Sequence, residues 1–138
     1  MNIVVLDGGT TNPGDLSWKP LAQLGHLTVY DETSPEQVVG RLFDAQAVIL
    51  NRVALGREEF TQLPRLRYVG TLATGYNTID VEAARAFGIT VCNVPHYCEE
   101  PVAQHALSLL LCLCNHVPAS STLVREGKWE QAVQESHR

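Results

Sequence analysis

Five short apolar runs, each followed by a helix-like segment, constrain this chain more than any other feature of its sequence. The runs are Ile3 to Leu6, His26 to Tyr30, Gln46 to Leu50, Arg67 to Leu72 and Ile89 to Asn93. Rich in Val, Ile, Leu and Tyr, they have the composition of strands buried on both faces. Between them lie Trp18 to Leu24, Ser34 to Phe43, Arg57 to Leu63 and Asp80 to Phe87. Ser34-Pro35-Glu36 is a helix start signal, with a capping hydroxyl, Pro in the first turn and an acidic residue facing the dipole. Gly88 after Phe87 is a stop signal. Repeated strand–helix units with short links predict an α/β fold: a five-stranded parallel sheet, helices on both faces, right-handed crossovers.

From Glu99 the pattern changes. Glu99-Glu100-Pro101 opens a long helix in which Val102, Ala103, Ala106, Leu107, Leu109, Leu110, Leu111, Leu113 and Val117 leave a narrow polar stripe of Gln104, Ser108 and Asn115. Such a helix is expected to be covered on most sides. A second helix, Ser120 to Arg125, stops at Gly127, and a polar tail begins at Lys128-Trp129. The longest apolar stretch, Ala106 to Val117, falls short of the roughly 20 residues a bilayer span needs. No basic, apolar leader opens the sequence, because Met1-Asn2 runs directly into the first strand. The formal net charge of -5, from 10 Lys+Arg against 15 Asp+Glu, argues against a nucleic-acid partner or an anionic membrane surface. A cytoplasmic location is the expectation. The four cysteines, Cys92, Cys98, Cys112 and Cys114, do not form a disulfide framework pattern. Cys112 and His116 share a helix face, but Cys114 points about 200° away. No metal site is expected, and the thiols read as buried and free.

Ligands of parallel α/β sheets bind outside the carboxyl ends of the strands. Those ends are Asp7-Gly8-Gly9, Asn51-Arg52, Ala73-Thr74-Gly75-Tyr76-Asn77 and Asn93-Val94-Pro95. In Leu72 to Asn77 a strand ends, Gly75 permits a sharp turn, and a helix begins near Thr78 to Asp80. Exposed loop amides at a positive helix end make a small cradle suited to a carboxylate. The competing reading is a tight turn with Asn77 or Thr78 as the helix cap. Arg52 is a candidate to fork a substrate anion, or else a solvated rim charge. Asn93 is a candidate donor to a bound carbonyl or carboxylate, or else a loop hydrogen-bonder ahead of Pro95. Gly8-Gly9-Thr10-Thr11-Asn12 has the composition of a phosphate-binding turn but lacks the Lys of a P-loop. The sequence contains no G-x-G-x-x-G. As a lone loop histidine, His96 is expected to be a surface residue and is not read as a general base, and His105 reads as packed or capped.

Leu63-Pro64, Leu66 to Gly70, Leu72 to Asn77 and Asp80 to Ala84, taken together, resemble the N-terminal region of NAD-dependent D-2-hydroxyacid dehydrogenases. So do Gly88-Ile89, Val91, Asn93-Val94-Pro95, Val102-Ala103-Gln104-His105 and Val124 to Trp129. The opening Val5 to Gly8 and Asn12 to Trp18 are closest to the glycerate dehydrogenases (hydroxypyruvate reductases). The resemblance implies a flavodoxin-like substrate domain over residues 1–98, lacking its C-terminal return helix. Residues 99–138 would be the first helices of a Rossmann cofactor domain. It further implies that the Thr74 and Gly75 amides hold the substrate carboxylate, with Leu72 and Ala73 on the same wall. Asn51-Arg52 stands where relatives usually show Asn-Lys. Asn93 and Tyr97 match positions bordering the substrate, and Val102 one packing on the nicotinamide of NAD. The helix 101–117 would form a homodimer interface.

Two departures accompany the resemblance. His96-Tyr97-Cys98-Glu99-Glu100-Pro101 replaces the usual approach to the helix, and Gln104 stands for a usual Glu. The family's catalytic Arg, Glu and His have no counterpart among these residues, so no catalytic residue is assigned and the 138-residue chain alone is expected to be inactive. In the whole enzyme, hydride would pass between nicotinamide and C2 of a small 2-hydroxy or 2-oxo acid. Two other readings stay open: a free-standing flavodoxin-like module binding phosphate or flavin at Gly8 to Asn12, and a non-catalytic interaction module docking through its apolar helix.

Overall fold

A computed structural model describes residues 1–131. They form two units, one spanning Met1–His96 and the other beginning at Tyr97. The first unit is a parallel five-stranded sheet. Its strands are β1 (Asn2–Val5), β2 (His26–Val29), β3 (Ala47–Leu50), β4 (Tyr68–Thr71) and β5 (Thr90–Cys92), in the order β2-β1-β3-β4-β5. The linking helices are α1 (Lys19–Ala22), α2 (Pro35–Leu42), α3 (Arg57–Gln62) and α4 (Val81–Ala86). This is the flavodoxin-like strand order, in which the winding direction reverses between β1 and β3. Right-handed crossovers put α2, α3 and α4 on one face and α1 on the other. Both faces carry helices, unequally.

The helix boundaries have local causes. Ser34 and Gln37 close a capping box ahead of α2, and the Ser34 hydroxyl holds the Glu36 carboxyl below its ordinary pKa. Gly88, at φ +69, takes the left-handed position that ends α4. Under α2, α3 and α4 the core joins Val4, Leu6, Val48, Leu50 and Val69 from the strands to Val38, Leu42, Phe60, Ala83 and Ala84. Burial on both faces holds for β1, β3 and β4, and fails for β2 and β5. Those two lie at the sheet edges, where His26, Thr90 and Cys92 are exposed.

The second unit holds α5 (Glu99–Cys114) and α6 (Val117–Arg125). The two helices expected here are both present, with axes bent by 58°, but the break lies earlier than expected: the first ends at Cys114, before Val117, and the second begins at Val117, before Ser120. His116 sits at φ +49, and Pro118, which has no N–H to give, fixes the first turn of α6. Helical backbone resumes at Trp129, where the sequence suggests a polar tail. The expected cover over α5 is absent among the described residues, none of α5 being buried. Leu107, Leu110 and Leu113 are 56%, 56% and 71% exposed. The thiols expected to be buried are half-buried at Cys98 and Cys112 and exposed at Cys92 and Cys114. No single described helix is long and apolar enough to cross a membrane.

Candidate functional site

The polar groups gathered by the carboxyl ends of the strands fall into three corners, each solving its backbone hydrogen bonding differently. The first follows β1. Gly8 N donates to Tyr30 O at 2.8 Å, Gly9 N to Asp31 O at 3.1 Å, and Thr10 N to Asp7 O at 3.1 Å. Thr11 N and Asn12 N both donate to Gly8 O, at 3.1 and 2.8 Å. Every amide that a phosphate at this turn would need already has an internal acceptor.

The second corner follows β3. Asp7, only 4% exposed, turns its carboxylate toward the sheet's reversal point, accepting from Asn51 N at 2.9 Å and Arg52 N at 2.6 Å. The Asn51 side chain donates to Thr10 Oγ1 at 3.0 Å, and that hydroxyl donates to Asp7 O at 2.8 Å. Arg52 is exposed and lines a cleft of about 510 Å³ together with Asp7, Thr10, Glu32, Thr33 and Glu59. No residue of the Thr74 loop lines that cleft. The structure therefore groups Arg52 with the β1 side of the sheet edge.

The third corner follows β4, and its polarity is reversed. The Ala73 carbonyl accepts from Val94 N at 3.0 Å, the Thr74 carbonyl from Asn93 Nδ2 at 2.8 Å, and the Gly75 carbonyl from Thr71 Oγ1 at a long 3.5 Å. The Ala73, Thr74 and Gly75 amides donate to no acceptor among the described residues. Leu72, Ala73 and Thr74 are half-buried, and Gly75 is open to solvent. Bonds of Leu55 N to Thr78 O and Asp80 N to Leu55 O, at 3.0 and 2.9 Å, tether the far end of the loop.

Two expectations for this corner change. The cap of α4 is Asp80, whose carboxylate accepts from Ala83 N at 2.8 Å, and neither Asn77 nor Thr78 takes that role. The helix is six residues long and begins after the loop, with its own carboxylate at its start, so the loop amides make the cradle without a helix end. Gly75 is not in the left-handed region, so the turn does not require glycine there. A Cβ at Gly75 would meet Asn77 Oδ1 at 3.3 Å, the mobile end of an exposed side chain.

Thr74, Gly75, Ala73 and Asn93 thus come together in one corner, with Leu72 beside them. Asn51 and Arg52 belong to its neighbour. Tyr97 and Val102 lie in the second unit, 59% and 61% exposed. Sequence reasoning missed Asp7, Thr71 and Asp80 as organising residues. A carboxylate directly after an apolar strand was a usable signal for Asp7, since a buried acid must find donors.

The family model for "D-isomer specific 2-hydroxyacid dehydrogenase, catalytic domain" matches residues 4–136. The chain belongs to this family. Its sequence is 50% identical over 133 residues to a hydroxypyruvate reductase of Blautia hydrogenotrophica, covering 94% of this chain and 41% of that protein. It is 34% identical over 106 residues to a glycerate dehydrogenase of Methylorubrum extorquens, covering 76% of this chain and 34% of that protein. Among solved structures, an acyclic imino acid reductase in complex with NADPH and D-Arg superposes with a TM-score of 0.78 at 27% identity. That match covers 92% of this chain and 41% of the other. The chain spans less than half the length of each of these relatives, and so corresponds to part of the catalytic domain. The family is NAD(P)-dependent.

Proposed function

We propose that this chain supplies the carboxylate grip of an NAD-dependent D-2-hydroxyacid dehydrogenase of the glycerate dehydrogenase (hydroxypyruvate reductase) kind. The observation that carries the reading is the β4 corner: the consecutive Ala73, Thr74 and Gly75 amides lack a described acceptor, while the carbonyls of the same three residues are held by other donors. Two amides presented together give the two oxygens of a carboxylate charge-assisted hydrogen bonds, about twice as strong as neutral ones. Holding the carboxylate fixes the position of C2 of a 2-hydroxy or 2-oxo acid, which is the orientation that hydride exchange needs.

The nicotinamide, when bound, supplies the hydride chemistry. Val102 offers an exposed aliphatic side chain in the opening turns of α5, a surface that suits packing against the apolar ring. Leu72 and Ala73, half-buried beside the amides, would wall the small acid. Tyr97, exposed after β5, would border the substrate. Neither His96 nor His105 is assigned to proton transfer at the substrate oxygen.

The wider reading makes residues from 99 onward the start of the cofactor domain and places the enzyme in the cytoplasm. It includes a homodimer joined through the region 101–117. Exposed leucines on α5 support that interface, because apolar surface of this kind favours association. Four free thiols suit a reducing compartment.

A glyoxylate soak of the crystallised chain tests the grip. We expect the carboxylate within hydrogen-bond reach of the Thr74 and Gly75 amides; an anion settling at Gly8 to Asn12 would overturn the reading. With hydroxypyruvate and NADH, the 138-residue chain alone should show no turnover, and a rate proportional to its concentration would refute that.

A further inference from the structure

We infer that Asn93 is a positioning residue, which aims the Gly75 amide at the substrate by holding the carbonyl of Thr74. The inference rests on the carboxylate reading above and changes the part Asn93 plays in it.

The peptide group linking Thr74 to Gly75 is planar and trans, so its C=O and N–H point in opposite directions. Whatever holds the Thr74 carbonyl therefore also sets the direction of the Gly75 N–H. That holder is Asn93 Nδ2, at 2.8 Å. A carbonyl only accepts, so the group facing it must be the NH₂ end of the side-chain amide. The preceding peptide is fixed by the backbone instead: Val94 N holds the Ala73 carbonyl at 3.0 Å and so sets the Thr74 N–H. The two amides of the grip thus have separate supports, one from the main chain and one from a side chain. Both come from residues directly after β5, the sheet neighbour of β4.

The remaining contact on the Gly75 side, Thr71 Oγ1 to Gly75 O, is long at 3.5 Å and acts on the next peptide along. No other described group fixes the Thr74–Gly75 peptide plane. Gly75 itself is exposed and lacks a side chain to anchor it. Losing the Asn93 donor would free this plane to rotate, and the amide would have to be ordered again on binding, which weakens the grip.

The test is a glyoxylate titration of the ¹⁵N,¹³C-labelled 138-residue chain, followed by NMR, in wild type, Asn93→Ala and the isosteric Asn93→Asp. In wild type the Thr74 and Gly75 amide signals should shift saturably. In both variants, before any glyoxylate is added, the Thr74 carbonyl and Gly75 amide signals should move, while those of Asn51 and Arg52 stay in place. Glyoxylate Kd should then rise about fivefold to tenfold, the value of one hydrogen bond. Weaker binding with the free-state Thr74 and Gly75 signals unchanged would mean direct contact between Asn93 and substrate, and would overturn the inference. Unchanged affinity would overturn it too. If wild type gives no response at these amides, the carboxylate reading itself fails, visibly before any variant is made, and this inference falls with it.

Discussion

The ends of β3 and β4 are neighbours in the sheet, paired through Leu50 and Thr71, yet they present opposite faces of the backbone to what lies beyond them. After β3, two successive amides are turned inward onto a carboxylate that the fold itself provides, that of Asp7. After β4, successive carbonyls are held by donors of the fold and the amides are left without a described acceptor. A strand end of this sheet is a natural place for a carboxylate because the parallel ladder stops there and leaves amides to be answered. At β3 the answer is encoded in the sequence. At β4 it has to arrive from outside, which is why the β4 corner is the candidate site while its neighbour is architecture.

The largest expected effect follows from removing the built-in acid. Asp7→Ala takes the acceptor from two part-buried amides and should cost about 3 kcal/mol of stability, measured by urea denaturation of the 138-residue chain. Formate should restore part of that loss in the variant and do little for wild type, because the emptied corner keeps the donors a small carboxylate needs. A loss below about 0.5 kcal/mol, inside the range of ordinary surface substitutions, would show that the β3 corner does not depend on its acid. Next in size is Asp80→Ala, which removes the α4 cap at an expected cost of about 1 kcal/mol. Glyoxylate binding at Thr74 and Gly75 should be unchanged by it. A shift in affinity matching the shift in stability would return the helix end to a role in the cradle.

How much of this was legible in the sequence depends on the range of the interactions involved. The strands were readable because Ile3 to Leu6 and Gln46 to Leu50 are apolar over consecutive positions, and the start of α2 because Ser34-Pro35 is a local signal. The Thr74–Gly75 loop was readable as a strand-to-helix turn carrying glycine. What the sequence could not show was how each corner satisfies its backbone. Asp7 and Asn51 are 44 positions apart, and Asn93 and Thr74 are 19 apart, so no local pattern couples them. The same limit explains Gly8 to Asn12, whose glycines suggested a ligand turn until Tyr30 and Asp31 were seen to accept from them. For a different reason, the break between α5 and α6 was expected later in the chain, with the second helix starting at Ser120 and not at Val117. Apolar periodicity runs across it, while Pro118 and the left-handed His116 set the bend.

The smallest expected change in stability belongs to Gly75→Ala, and its value lies in that smallness. Backbone at Gly75 lies outside the left-handed region, so alanine meets no conformational penalty there. Its Cβ would press on Asn77 Oδ1 at 3.3 Å, which an exposed side chain relieves by rotating. Alanine also narrows the unfolded ensemble, a gain of about 0.4–1 kcal/mol that offsets the crowding. Net stability should therefore stay within about 0.5 kcal/mol of wild type. Glyoxylate affinity should nevertheless drop about tenfold, since a methyl group would stand beside the amide where an anion must approach closely. The fold gives Gly75 no reason to be glycine, and a ligand does. A variant that loses more than about 1 kcal/mol in denaturation, or that binds glyoxylate as wild type does, would remove that reason.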